Sequence, residues 1–127
     1  MQEERRSISS YRDLVVWNAA VDLAVNCYDI TTRFPAHELY GMTSQIRRSS
    51  TSIAANIAEG HGRESTGAFI QFLRIAQGSL KELETHMVIS GRVGLIGQQE
   101  MDDILMKASH IGKMLRSMTR SLQRRTS

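Results

Sequence analysis

Apolar residues recur at steps of three and four along most of this chain. In its last quarter the rhythm is unbroken: Ile104, Ala108, Ile111, Leu115, Met118 and Leu122 step by four, three, four, three and four. Such a seam belongs to a helix with one face turned to neighbouring helices. Strands require a period of two, and no stretch here alternates for long. The single Pro in 127 residues removes the commonest interruption of helices. The fold class is therefore all-α, and the length is that of one domain, residues 1–127.

Four helices follow from the pattern, at about 11–33, 38–59, 65–90 and 98–124. The first carries two apolar rows: Leu14, Trp17, Val21, Ala24 or Val25, and Tyr28; then Val16, Ala20, Leu23, Cys27, Ile30 and Phe34. Together they span roughly 200° of the helix, whereas a surface helix needs a stripe only about 100° wide. A second buried face, supplied by another copy of the chain, would account for the excess. Leu14, Val16, Trp17, Val21 and Leu23 are the residues expected at that interface, and an isolated protomer is expected to be poorly stable. Pro35 ends the helix, because the residue before Pro avoids the helical region.

In the second helix Leu39, Met42, Ile46, Ile53 and Ile57 share a face, interrupted by Ser49, Ser50, Thr51 and Ser52. Small hydroxylated side chains lower helix propensity but let another helix come close. Gly60 and Gly62 read as its stop. Ser65 or Thr66 can cap the third helix, whose apolar face is Phe69, Phe72, Leu73, Ala76, Leu80, Leu83 and Met87. Gly78 inside it costs about 1 kcal/mol against Ala, and a close helix crossing would explain its presence. In the fourth helix Glu100, Asp102 and Asp103 lie early and the cations late, as the macrodipole favours. Short connections make neighbours antiparallel, so the architecture is an up-down-up-down four-helix bundle.

Usage is ordinary for a globular protein, with 41% hydrophobic and 23% charged residues. No apolar run of about 18 residues offers a membrane span, and the opening MQEERRSISS lacks a secretory apolar core. Cys27 is the only cysteine, which points to a reducing compartment, the cytoplasm.

Catalytic and metal motifs are sparse. A di-iron bundle needs Glu-x-x-His on two helices, and the nearest miss is Glu84-Thr85-His86. His37, His61, His86 and His110 lie singly on separate elements, and one Cys cannot build a zinc site. Neither metal nor cofactor is expected. Gly60-His61-Gly62-Arg63-Glu64-Ser65 begins like a dinucleotide fingerprint but lacks the third Gly and follows a helix. The seven Met residues fall mostly on or beside apolar faces, where they fill gaps.

Two polar constellations remain. On helix two, Gln45, Arg48, Ser52, Asn56 and Glu59 form a stripe beside the apolar face; on helix three, Ser79, Glu82 and His86 do the same. Such flanking groups meet across a helix pair as a hydrogen-bonded seam, since an unpaired buried amide or carboxylate would cost several kcal/mol. A small-molecule enzyme using Glu59, Glu82 and His86 is the less favoured alternative, because no nucleophile or metal set accompanies them. The second constellation is basic. The chain carries a net charge of +3, and its last acid is Asp103; Lys107, Lys113, Arg116, Arg120, Arg124 and Arg125 follow. Lys113, Arg116, Arg120 and Arg124 step by three, four and four on the side opposite the apolar seam. A row of this kind can bind nucleic acid, helped by Arg47, Arg48 and Arg63, or serve only as a solvated face.

Several segments resemble a known family. They are Leu14-Val15-Val16-Trp17; Phe34-Pro35 with Glu38-Leu39-Tyr40-Gly41-Met42-Thr43; Gln45-Ile46-Arg47-Arg48; Ser52-Ile53-Ala54-Ala55-Asn56-Ile57-Ala58-Glu59-Gly60; Phe72-Leu73-Arg74-Ile75-Ala76; and Gly78-Ser79-Leu80-Lys81-Glu82-Leu83-Glu84. Over residues 11–122 the chain resembles the bacterial four-helix bundle proteins encoded by intervening sequences in 23S rRNA genes, with the string from Ser52 to Gly60 the most specific part. The resemblance implies antiparallel four-helix protomers in a ring-like pentamer and no established enzymatic activity. Accessory proteins of diversity-generating retroelements are distantly similar, and through them the resemblance implies nucleic acid or a polymerase-like protein as partner. The expected function is thus a non-enzymatic homo-oligomeric binding or scaffold protein for RNA or DNA, or a protein–protein adaptor without nucleic acid.

Overall fold

The computed structural model describes residues 10–126. The helices are α1 (Val15–Thr31), α2 (Met42–His61), α3 (Thr66–Arg92) and α4 (Gln98–Thr126), with 3-10 turns at Tyr11–Asp13 and Ala36–Glu38. There is no strand among the described residues. Each helix packs on its sequence neighbours, and α1 closes against α4, which makes an antiparallel four-helix bundle. Residues 1–9 and 127 of the expected domain lie outside the described residues.

The helix ends differ from the periodicity reading for local reasons. Leu14 is extended (φ −77°, ψ 127°), so Tyr11–Asp13 is a separate turn, held by a capping box between Ser10 and Asp13. At the other end of α1, Thr31 Oγ1 donates to Cys27 O (2.7 Å) and Thr32 Oγ1 to Asp29 O (2.6 Å), and the chain tightens into three-residue hydrogen bonds toward Phe34. Helix α2 starts at Met42 rather than near residue 38, because the Glu38 carboxylate accepts from the Met42 N–H (3.0 Å) and acts as its cap. Ser65 caps α3, its Oγ accepting from Ala68 N at 3.1 Å. Gly94, at φ +83°, turns the chain from α3 to α4, a conformation that favours glycine.

The core is built from one stripe of each helix. Leu23 and Cys27 of α1, Ile46, Ile53 and Ile57 of α2, Leu73, Leu80, Leu83 and Met87 of α3, and Ile104, Ile111 and Leu115 of α4 are fully buried. On α1 the core row is therefore Val16, Ala20, Leu23, Cys27 and Ile30. This corrects the interface expected from sequence. Leu14, Val16 and Leu23 lie inside the protomer at 8%, 3% and 1% exposure, because their row faces α2, α3 and α4 of the same chain. Trp17 and Val21 of the other row are half-buried. Leu39 also leaves its expected apolar face: it sits in the α1–α2 connection, half exposed.

Gly78 marks no helix crossing: it is exposed, and a Cβ there would meet nothing within 4 Å. The close approach comes elsewhere. At buried Gly60 an added Cβ would lie 2.6 Å from Phe72 Cβ and 3.0 Å from Phe69 Cδ1, so this glycine lets α2 and α3 touch. The serine run does admit neighbours on two sides: Ser50 is buried beside Cys27 of α1, and Ser52 Oγ bonds Ser79 Oγ of α3 at 2.8 Å.

Candidate nucleic-acid interface and polar seam

Helix α4 has 29 residues against 17 in α1, about 44 Å against 26 Å. Its core row, from Ile104 through Ala108, Ile111 and Leu115 to Leu122, is buried, and that orients everything else on the helix. Lys113, Arg116, Arg120, Arg124 and Arg125 are all exposed. The first four face away from the core over about 17 Å of helix length. The Arg116 guanidinium lies over Gly112, whose missing side chain leaves it and Leu80 room.

The other three arginines expected to help are engaged elsewhere. Arg47 is half-buried; its Nε donates to Thr31 Oγ1 (2.9 Å) and its guanidinium stacks 4.7 Å from the Tyr28 ring, tying α2 to α1. Arg48 donates to Gln45 Oε1 (2.9 Å) and pairs with the Glu82 carboxylate across α2 and α3. Arg63 pairs with Glu59 (3.0 Å) and lies 4.8 Å from the Phe72 ring. Their positive charge is met on the α1, α2 and α3 surfaces and does not join the α4 row. No aromatic side chain interleaves with that row, so base stacking has no platform there.

The polar seam runs between α2 and α3. Asn56 Nδ2 donates to Ser52 O (2.8 Å) and Oγ (3.0 Å), Ser52 bonds Ser79, and Gln45, Arg48, Glu82 and His86 make a second cluster, with His86 Nε2 3.3 Å from Glu82 Oε2. Glu59 stands apart with Arg63. Partial burial pulls the Glu82 carboxyl upward, but hydrogen bonds from Arg48 and His86 outweigh it, and the pKa is lowered. These groups satisfy one another. No group of three or more His, Cys, Asp or Glu suited to a metal ion occurs among the described residues.

Two features escaped sequence reading. The first is the Thr31–Arg47–Tyr28 cluster, whose members are brought together by the α1–α2 crossing and share no sequence signal. The second is a cleft between α1 and α4. Two hollows of about 540 and 160 Å³ follow that line, where α1 and α4 pack less intimately than the other neighbours, and a third of about 520 Å³ opens at its end between Leu14, His61, Phe69 and Met118. Small Ala19 and off-rhythm Met106 in the first of these are the signals that could have suggested it.

No helix among the described residues is long and apolar enough to cross a membrane. No curated protein matches the chain. A solved structure, described as a protein with unknown function from the S23 ribosomal protein family of Bacteroides thetaiotaomicron VPI-5482, is 30% identical with a TM-score of 0.75, over 83% of this chain and 98% of that one. The model of the 23S rRNA-intervening sequence protein family matches residues 12–117. That match takes in α1, α2, α3, most of α4 and the Ser52–Gly60 string, and the chain belongs to the 23S rRNA-intervening sequence protein family.

Proposed function

We propose that this chain is a non-enzymatic, self-associating helical bundle of the cytoplasm that binds RNA or DNA through the outer face of α4. The observation that carries the reading is the exposed row Lys113, Arg116, Arg120 and Arg124, extended by Arg125, on a stretch with no acidic residue after Asp103. Backbone phosphates are the ligand such a row suits: it offers charge at regular spacing and nothing that reads or stacks on bases. Self-association multiplies the row, and the resemblance implies a pentameric ring. The surface that supports association is the outer row of α1, where Val25 and Tyr28 are 61% and 45% exposed beside half-buried Val21.

Titrating salt against binding of an RNA and of duplex DNA tests the reading. Binding should weaken linearly on a log–log scale, with a slope of about 0.9 per phosphate contact for duplex DNA. Replacing Arg116, Arg120 and Arg124 with Ala should weaken binding alike for all sequences and flatten that slope by up to about 2.7. No binding at low ionic strength defeats the nucleic-acid reading.

A further inference from the structure

At the end of the bundle where α1 and α3 start and α2 and α4 finish, a hollow of about 520 Å³ is lined from all four helices. Leu14, Phe69 and Met118 give it an apolar floor, and Val15 beside them is 75% exposed. The chain enters the bundle at this hollow. Asp13 lines it, and the Asp13 carboxylate accepts from the Ser10 N–H at 3.2 Å, so the segment ahead of Ser10 departs from the rim.

What that segment carries is specific. It reads Ser7-Ile8-Ser9, and Ile8 is the one large apolar side chain near Ser10, Met1 being much further along. Extended chain covers about 3.3–3.6 Å per residue, so Ile8 is at most about 7 Å from Ser10. Capping boxes are often accompanied by an apolar residue ahead of the cap that packs back on the turn. Ser10 and Asp13 form such a box, with Ile8 two residues ahead.

We propose that residues 7–9 fold back over this hollow and that Ile8 is seated on Leu14, Phe69 and Met118, closing this end of the bundle. Ser117 and Ser121 of α4 also line the hollow and offer hydrogen-bond partners to the backbone of an extended segment. The occupant is the chain's own, because a separate molecule would have to give up translational freedom that a tethered segment has already lost. Neither phosphate binding nor self-association is needed for this contact.

The test uses the full chain with Ser7→Cys and Ser121→Cys, equilibrated with reduced and oxidised glutathione. Buried Cys27 does not compete, its thiol pKa being pushed up to about 12. The balance of dithiol and disulfide reports the effective concentration of the two thiols. Adding Ile8→Ser should lower it about tenfold or more, since burial of the isoleucine side chain is what holds Ser7 over α4. Trypsin should likewise cut after Arg6 about tenfold faster in Ile8→Ser than in the unaltered chain. Three results overturn the proposal: no disulfide, an effective concentration or cleavage rate that Ile8→Ser leaves unchanged, or a disulfide that joins two chains. The last, seen as a doubled mass on a non-reducing gel, would mean that the hollow takes the segment of another copy.

Discussion

Cys27 is buried between α1 and α2, next to Ser50, and burial pushes its thiol pKa up to about 12 although the Ser50 hydroxyl and Lys107 act the other way. Only the thiolate is a competent nucleophile. In the native protein at pH 8 Cys27 should therefore resist a thiol reagent and should react at once after denaturation; rapid labelling of folded protein would contradict the burial. Glycine positions divide in the same local way. Gly60→Val should destabilise by about 1–3 kcal/mol, since its Cβ would overlap Phe72 and extra volume at a helix contact forces the backbones apart. Gly78→Ala should stabilise by up to about 1 kcal/mol, because that site is open and α3 gains helix propensity. Denaturant midpoints of the two variants check both signs. Sequence spacing put Gly78 in α3 but was silent on its neighbours, since a glycine used for close approach and one left in solvent look alike along a chain.

At the scale of elements, α2 and α3 are joined by a seam that is dry at Gly60 and polar from Gln45 to His86. The folded Glu82 carboxyl has its pKa lowered from the ordinary 4.5, so the folded state binds its proton less readily than the unfolded state does. Its stabilisation is present above that value and disappears as pH falls through the lowered folded value. Glu82→Gln should thus lower the thermal midpoint at pH 7 by an amount equivalent to under about 1 kcal/mol, as befits a partly exposed pair. The difference from the unaltered protein should shrink toward zero as the pH falls below 4.5. A difference that stays constant with pH would show that the ionised Glu82 carboxylate gains nothing from Arg48 and His86. The stripe of polar positions on each helix was legible from spacing. Which members meet was not: Glu59 shares the stripe with Asn56 yet turns to Arg63, one helical turn along.

For the whole molecule, the four stripes close on one another and leave two unequal outer faces. One is the cationic side of α4; the other is the apolar ridge of α1, where Val21, Ala24, Val25 and Tyr28 border Thr51 and Ala54 of α2 around a hollow of about 400 Å³. If that ridge joins copies, changing Val25 and Tyr28 to Glu should shift the sedimentation of micromolar protein to the protomer mass while helical content is kept. A single copy in the unaltered protein would remove self-association from the proposed function. The charged face should then still bind nucleic acid, with a smaller salt slope, because fewer phosphates are met by each particle.

By itself the sequence determined the class, the number of helices and most of the core rows of α2, α3 and α4. Those depend on a period of three to four and on caps such as Ser65, both carried by residues close together in the chain. It also marked the cations of α4 as outward, because a helix has only one side opposite its seam. Tertiary structure alone decided which of the two apolar rows of α1 is interior, where Arg47, Arg48 and Arg63 find partners, and that α1 and α4 stand apart far enough to leave a cleft. Those outcomes depend on how unequal rods cross, and a 17-residue helix packed against one of 29 leaves surface that no local pattern encodes.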